Sequence, residues 1–190
     1  MNIKRIKTPL TRNDVRELKC GEEILLSGII YTARDAAHMR LVELASKGEQ
    51  LPIPIESAII YYVGPTPEKP GQQIGSAGPT TSYRMDFAAP KLIELGMTAM
   101  IGKGARSIEV VGAMREYGAA YFGAIGGAGA LLARCVESAE VVAYEDLGAE
   151  AIRRLHVCDM PLTVIIDSEG NNLYVQGREN YLSWKAGEAM

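Results

Sequence analysis

The sequence lacks the features typical of membrane, secreted and nucleic-acid-binding proteins. Its 190 residues contain no apolar run near the roughly 20 residues that span a bilayer, and no apolar segment follows the basic residues of "MNIKRIKTPLTRND". The formal net charge of −3 is spread without runs of lysine and arginine, which argues against nucleic acid and anionic membranes as partners. We therefore expect a cytoplasmic protein that binds neither.

Cysteine is scarce, and its distribution does not indicate a disulfide framework. The three cysteines, Cys20, Cys135 and Cys158, are odd in number and widely spaced. Such a pattern favours reduced thiols, as expected inside a cell. Free cysteines in a cytoplasmic α/β domain are most often buried small apolar residues.

Apolar segments and amphipathic segments alternate along the chain. The predicted strands are residues 22–33, 57–67, 97–102, 119–125 and 139–148. The predicted helices are residues 11–18, 34–48, 90–96, 104–118, 128–138 and 149–156. Residues 161–177 are predicted to form two further strands around an Asp/Ser/Gly turn.

This alternation predicts an α/β fold with a mainly parallel central sheet. The isolated early strand and the strand pair at the end indicate a second, smaller strand layer. At 190 residues, the chain is most simply one domain covering residues 1–190.

Two glycine-rich segments resemble nucleotide-binding loops without matching them. In "GAIGGAGALL", a dinucleotide-binding spacing that begins at Gly127 and Gly129 requires glycine where Leu132 stands. In "GMTAMIGKG", one residue too many separates Gly96 from Gly102 for a phosphate loop. We therefore favour tight turns and close helix packing over nucleotide binding for these glycines.

Five motifs, in order along the chain, carry a resemblance to a known family. They are "YTARDAAH" at 31–38, "YYVGP" at 61–65, "GPTTSYRMD" at 78–86, "MIGKG" at 100–104 and "GGAGALLA" at 126–133. In order and spacing they resemble the β subunit of class I iron–sulfur fumarases and tartrate dehydratases, over nearly the whole chain. The resemblance implies a swivelling β/β/α domain that acts as the small subunit of a hydro-lyase.

The resemblance also implies a reaction, a cofactor and a partner. The reaction is the reversible hydration of fumarate to L-malate; a tartrate dehydratase subunit and a non-catalytic dicarboxylate-binding or structural subunit are the alternatives. The implied partner is an α subunit, in a hetero-oligomer such as two α and two β chains, without which this chain is inactive. The implied cofactor is a 4Fe-4S cluster with its ligands on the α subunit, because the three cysteines lie outside the five motifs.

The motifs supply candidate substrate-binding and catalytic residues. Arg34 and Arg84 match the family's two substrate-binding arginines, and a planar guanidinium can bind a carboxylate with two hydrogen bonds. Lys103 matches a lysine that the family places beside the substrate. Thr80 matches the residue proposed in the family as the proton-transferring base. Thr81 is a further substrate-binding candidate, with satisfaction of turn amides as its alternative.

Three residues are expected to support these side chains. Asp35 and His38 could orient Arg34, or could be a helix cap and a surface histidine, and the sequence leaves both open. Asp86, at the end of "GPTTSYRMD", is the third supporting candidate. A hydroxyl is a poor base unless a neighbour activates it, and a carboxylate of the partner could do so for Thr80.

Overall fold

The computed structural model describes residues 3–188, which alternate between strands and helices for most of their length. The strands are β1 (Lys4–Lys7), β2 (Glu23–Thr32), β3 (Ile59–Tyr61), β4 (Ala99–Gly102), β5 (Ala120–Gly123), β6 (Val136–Ala143) and β7 (Ile152–Ile166). The α-helices are α1 (Arg12–Arg16), α2 (Asp35–Ser46), α3 (Ala89–Glu94), α4 (Ile108–Tyr117), α5 (Gly129–Arg134) and α6 (Leu173–Glu188). Among the described residues, no helix is both long enough and apolar enough to cross a membrane.

The seven strands form one mixed sheet that closes on itself. Strands β1 to β5 are neighbours in chain order, and each runs parallel to the next. Strand β7 runs antiparallel to β2, β5 and β6. Because β7 pairs with both β2 and β5, strands β2, β3, β4, β5 and β7 form a closed ring. The predicted α/β class is confirmed.

Successive side chains of the central strands enter two different hydrophobic clusters. In β3, Ile59 and Tyr61 join the cluster built from all five strands of the ring. Ile60 and the following Tyr62 pack instead with residues of helices α2, α3 and α4. Both faces of these strands are therefore buried, which explains why their sequences are apolar at nearly every position.

Two predicted segments have the wrong secondary structure. Residues 149–156, predicted as a helix, lie largely in strand β7, which pairs with β2 on one side and β6 on the other. Residues 171–177, predicted as a strand, contain the start of α6 at Leu173. The expected second strand layer, formed by the early strand and the strand pair at the end, is not separate in residues 3–188, since β2 and β7 belong to the same sheet. In β7, pairing with strands on both sides outweighs the local helix propensity of residues 149–156.

Candidate active site

Four of the five motifs lie where parallel strands end. Arg34 follows β2, Gly64 follows β3, Lys103 follows β4 and Gly126 follows β5. Neighbouring motifs lie close together in the folded chain. The space between Gly64 and Arg34 is so small that a Cβ atom added to Gly64 would lie 2.8 Å from Arg34 Nη1. A Cβ atom added to Gly126 would lie 3.9 Å from Lys103 Nζ. The carboxyl ends of parallel strands are where α/β proteins commonly bind ligands.

The fifth motif, which contains the two threonines, is fixed to this edge by backbone contacts. The Thr80 amide donates to the Tyr62 carbonyl at 2.7 Å. Thr81 forms an isolated parallel bridge with Lys103, and the Ser82 amide donates to the Lys103 carbonyl at 2.9 Å. The threonine pair and Lys103 are therefore adjacent in the folded chain.

The two predicted arginines converge on one carboxylate. Arg84 Nε lies 2.8 Å from Asp35 Oδ1, and Arg34 Nη2 lies 3.6 Å from Asp35 Oδ2. Arg34 Nη2 also lies 3.3 Å from Glu150 Oε1. Arg34 and both carboxylates are largely buried, whereas 43% of the Arg84 side chain is exposed. One carboxylate thus holds two guanidinium groups together, and the Arg84 side chain is the one that reaches solvent.

Glu150 was not identified from the sequence. It lies in a 3-10 segment, Glu145–Glu150, that connects β6 and β7. Its Oε2 atom accepts a hydrogen bond from the Ala36 amide, 114 residues away, at 2.9 Å. No local pattern marks this glutamate, because its partners come from a distant part of the chain.

His38 lies near the start of α2 and is buried. Its Nδ1 atom is 2.8 Å from the Arg34 carbonyl, which can only accept, so Nδ1 carries the proton. Its Nε2 atom has no hydrogen-bond partner among residues 3–188, and its ring packs edge to face on Tyr62. Burial lowers the pKa of His38 to about 4. The surface-histidine alternative is therefore wrong, and the ring is neutral at pH 7.

Asp86 does not contact the arginine pair. Its Oδ1 atom accepts a hydrogen bond from Arg106 Nε at 2.6 Å, and its Oδ2 atom accepts one from the Ser107 amide at 2.7 Å. The Arg106 side chain is fully buried, and its guanidinium lies over the rings of Tyr62 and Tyr121. Asp86 and Arg106 thus hold the end of the threonine motif against the sheet. Arg106 was missed because an arginine before a helix ordinarily faces solvent.

The cysteines do not converge on a common point. Cys20 Sγ lies 3.4 Å from the Ile165 carbonyl, whereas the Cys158 amide donates to the Cys135 carbonyl at 2.8 Å. Within residues 3–188, no group of three His, Cys, Asp or Glu side chains could hold a metal ion. The described residues therefore do not fit a 4Fe-4S cluster.

Two cavities flank the connection between β3 and the threonine motif. One of about 550 Å³ lies against α5, and one of about 390 Å³ lies against β6 and the 3-10 segment that follows it. Neither is lined by Arg34, Arg84 or Lys103. These three side chains therefore lie outside the two cavities.

The fold and the site define a class of protein: an α/β protein with two arginines, a lysine and two threonines at the carboxyl edge of its parallel strands. Such an arrangement is suited to an anionic ligand with carboxylate groups. A sequence profile of the family described as "Fumarase C-terminus" matches residues 1–177. The chain belongs to this family.

Individual relatives fall into two groups by length. "Putative L(+)-tartrate dehydratase subunit beta" of Methanocaldococcus jannaschii is 40% identical over 171 residues, which cover 87% of this chain and 88% of the relative. "Fumarate hydratase class I, aerobic" of Escherichia coli K12 is 41% identical over 153 residues, 80% of this chain but 28% of the relative. "Fumarate hydratase 2" of Leishmania major is 34% identical over 173 residues, 89% of this chain and 30% of the relative. The chain thus corresponds to less than a third of each of these two fumarate hydratases.

Proposed function

We propose that this chain is the β-type subunit of a two-subunit hydro-lyase that hydrates fumarate reversibly to L-malate. The observation that carries the proposal is the convergence of Arg34 and Arg84 on one carboxylate, beside Lys103 and the threonine pair, in a member of the Fumarase C-terminus family. Hydration of a dicarboxylate requires groups that bind two carboxylates and a group that moves a proton. The site offers candidates for both tasks.

The arginines and the lysine are proposed to bind and stabilise the substrate. Arg34 and Arg84 bind one substrate carboxylate, and Asp35 holds the two guanidinium groups in place before the substrate arrives. Among the side chains that the structure describes, no carboxylate lies within ion-pair distance of Lys103 Nζ. Its ammonium is therefore available to neutralise charge that builds on a carboxylate as the adjacent C–H bond breaks.

Thr80 is proposed as the proton-transfer residue, and Thr81 as a substrate contact beside it. The backbone contact of Thr80 with Tyr62 fixes the position from which its side chain extends. A hydroxyl needs a neighbouring group to act as a base. We propose that a carboxylate of the partner supplies that activation.

Exposed apolar side chains close to the site motifs in sequence favour a partner subunit. Tyr83, Phe87, Ile108 and Ile125 lie within a few residues of the site in sequence and are between 56% and 82% exposed. Large apolar side chains that cluster on a surface commonly mark a protein interface. We propose that a cluster-bearing α-type subunit covers some of these exposed side chains, and that residues 1–190 move as one swivelling domain to close the site.

The proposed cofactor is the 4Fe-4S cluster implied by the family resemblance, with its ligands on the α-type subunit. Such a cluster supplies a Lewis acid to a hydro-lyase. The described residues of this chain supply only carboxylate binding and proton transfer. Free thiols at Cys20, Cys135 and Cys158 are consistent with the cytoplasmic location that we also propose.

A specific observation favours L(+)-tartrate as a second candidate substrate. The relative that matches this chain over 88% of its own length carries a tartrate dehydratase name. Both substrates are four-carbon dicarboxylates, so Arg34 and Arg84 cannot discriminate between them. Discrimination depends on contacts near the hydroxyl groups.

The test is anaerobic turnover by the chain alone and by the chain co-purified with its α-type partner. We expect only the pair to hydrate fumarate, with a higher kcat/KM than for dehydration of L(+)-tartrate. A reversed preference would establish the second candidate. Fumarate binding without turnover by a pair with an intact cluster would show a binding subunit and overturn the enzymatic proposal.

A further inference from the structure

We infer that Glu150 is a positioning residue that sets the orientation of the Arg34 guanidinium; the inference rests on the proposed substrate-binding role of Arg34. The two carboxylate oxygens of Glu150 have separate partners. Oε2 accepts from the Ala36 amide at 2.9 Å, and Oε1 lies 3.3 Å from Arg34 Nη2. Glu150 therefore ties Arg34 to the first turn of the helix that follows it.

The backbone at Gly64 restricts the same guanidinium from another side. A Cβ atom at Gly64 would lie 2.8 Å from Arg34 Nη1 and 3.2 Å from the Ala149 carbonyl oxygen. The Arg34 side chain thus passes through a narrow space between the end of β3 and the segment that carries Glu150. It can adopt few other conformations there.

The segment that carries Glu150 is itself attached to α2. Arg40 donates hydrogen bonds to Asp146 from both of its terminal guanidinium nitrogens, and it lies over the ring of Tyr144. Glu150 therefore approaches Arg34 from a fixed position.

A fixed guanidinium binds a carboxylate with less loss of conformational entropy. Glutamine at position 150 could accept only one of the two hydrogen bonds and would turn an N–H group toward a second donor. The Glu150→Gln variant should therefore leave the Arg34 guanidinium poorly oriented. Because the effect passes through Arg34, it should vanish when Arg34 is absent.

The experiment is a double-mutant cycle in the two-subunit enzyme with fumarate as substrate. We expect Glu150→Gln to raise KM about tenfold with kcat within about twofold. In the Arg34→Ala background, the same substitution should change KM by less than about twofold. Glu145→Gln, at an exposed position of the same segment, is the matched control and should retain the original KM.

The outcomes separate the inference from the function on which it rests. If Arg34→Ala raises KM but Glu150→Gln does not, or if Glu150→Gln has the same effect in both backgrounds, the inference is wrong. If Arg34→Ala leaves KM unchanged, the proposed substrate-binding role is wrong. If Glu150→Gln does not fold, Glu150→Asp takes its place in the cycle, with a rise in KM that must likewise vanish without Arg34.

Discussion

Acidification should destabilise this protein through His38. Burial lowers the pKa of His38 from 6.5 to about 4; the nearby Arg106 adds to the lowering, while the Arg34 carbonyl and Asp35 oppose it. Between these two pH values the unfolded chain binds a proton that the folded chain excludes. The contribution of His38 to stability is therefore complete above pH 6.5, falls with the pH and is lost near pH 4.

The size of the effect follows from the two pKa values. The pKa of His38 falls from 6.5 in the unfolded chain to about 4 in the folded chain. At ~1.4 kcal/mol per pH unit, this difference corresponds to about 3 kcal/mol of unfolding free energy. That is a large share of the roughly 5–15 kcal/mol by which domains of this kind are stable.

The assay is urea unfolding of the chain at a series of pH values from 7.5 to 4. His38→Asn retains an N–H group that can reach the Arg34 carbonyl and cannot titrate. Between pH 7.5 and pH 4, we expect the free energy of unfolding of the wild type to fall by about 3 kcal/mol more than that of this variant. His156→Asn, at the other histidine of the chain, is the control, because 45% of its side chain is exposed and it contacts Glu137 at the surface. Equal losses in the wild type and His38→Asn would refute the reasoning.

Two further predictions concern packing around the site. Gly64→Ala should raise the fumarate KM of the two-subunit enzyme, because its Cβ atom would displace Arg34. Gly112→Ala, which adds a Cβ atom in open space, should leave KM unchanged, and equal KM values for both variants would contradict the account. Asp86→Ala should lower the free energy of unfolding by about 3–5 kcal/mol, because it leaves Arg106 buried without a counter-charge. Denaturant unfolding tests this, and a loss below about 1 kcal/mol would contradict it.

The central strands could be predicted from the sequence because their signals are local. Strands β2 to β5 are apolar and separated by helices with clear amphipathic periodicity, and these elements were found close to the predicted positions. The first part of strand β7 could not be predicted this way, since residues 149–156 contain good helix formers. The strand predicted at the start of residues 161–177 is confirmed as the last part of β7. The ladder that β7 forms with β2 depends on residues more than a hundred positions away in sequence, and another of its ladders is formed with the preceding strand β6.

The same distinction applies to the site. Arg34, Arg84 and Lys103 were identified through motifs, and the fold brings the motifs together at one edge of the sheet. Glu150 and Arg106 lie outside all five motifs. Each gains its importance from a partner that only the folded chain places beside it. Their assignment as supporting residues therefore required the structure.

The proposal that Arg84 binds a substrate carboxylate is tested most directly by steady-state kinetics of the Arg84→Lys variant of the two-subunit enzyme. Lysine retains the charge but loses the two-point contact, so kcat/KM for fumarate should fall about 10- to 100-fold. Arg154→Lys is the matched control, because Arg154 is similarly exposed and pairs with Glu140 outside the site. Turnover of Arg84→Lys equal to that of Arg154→Lys would contradict the account.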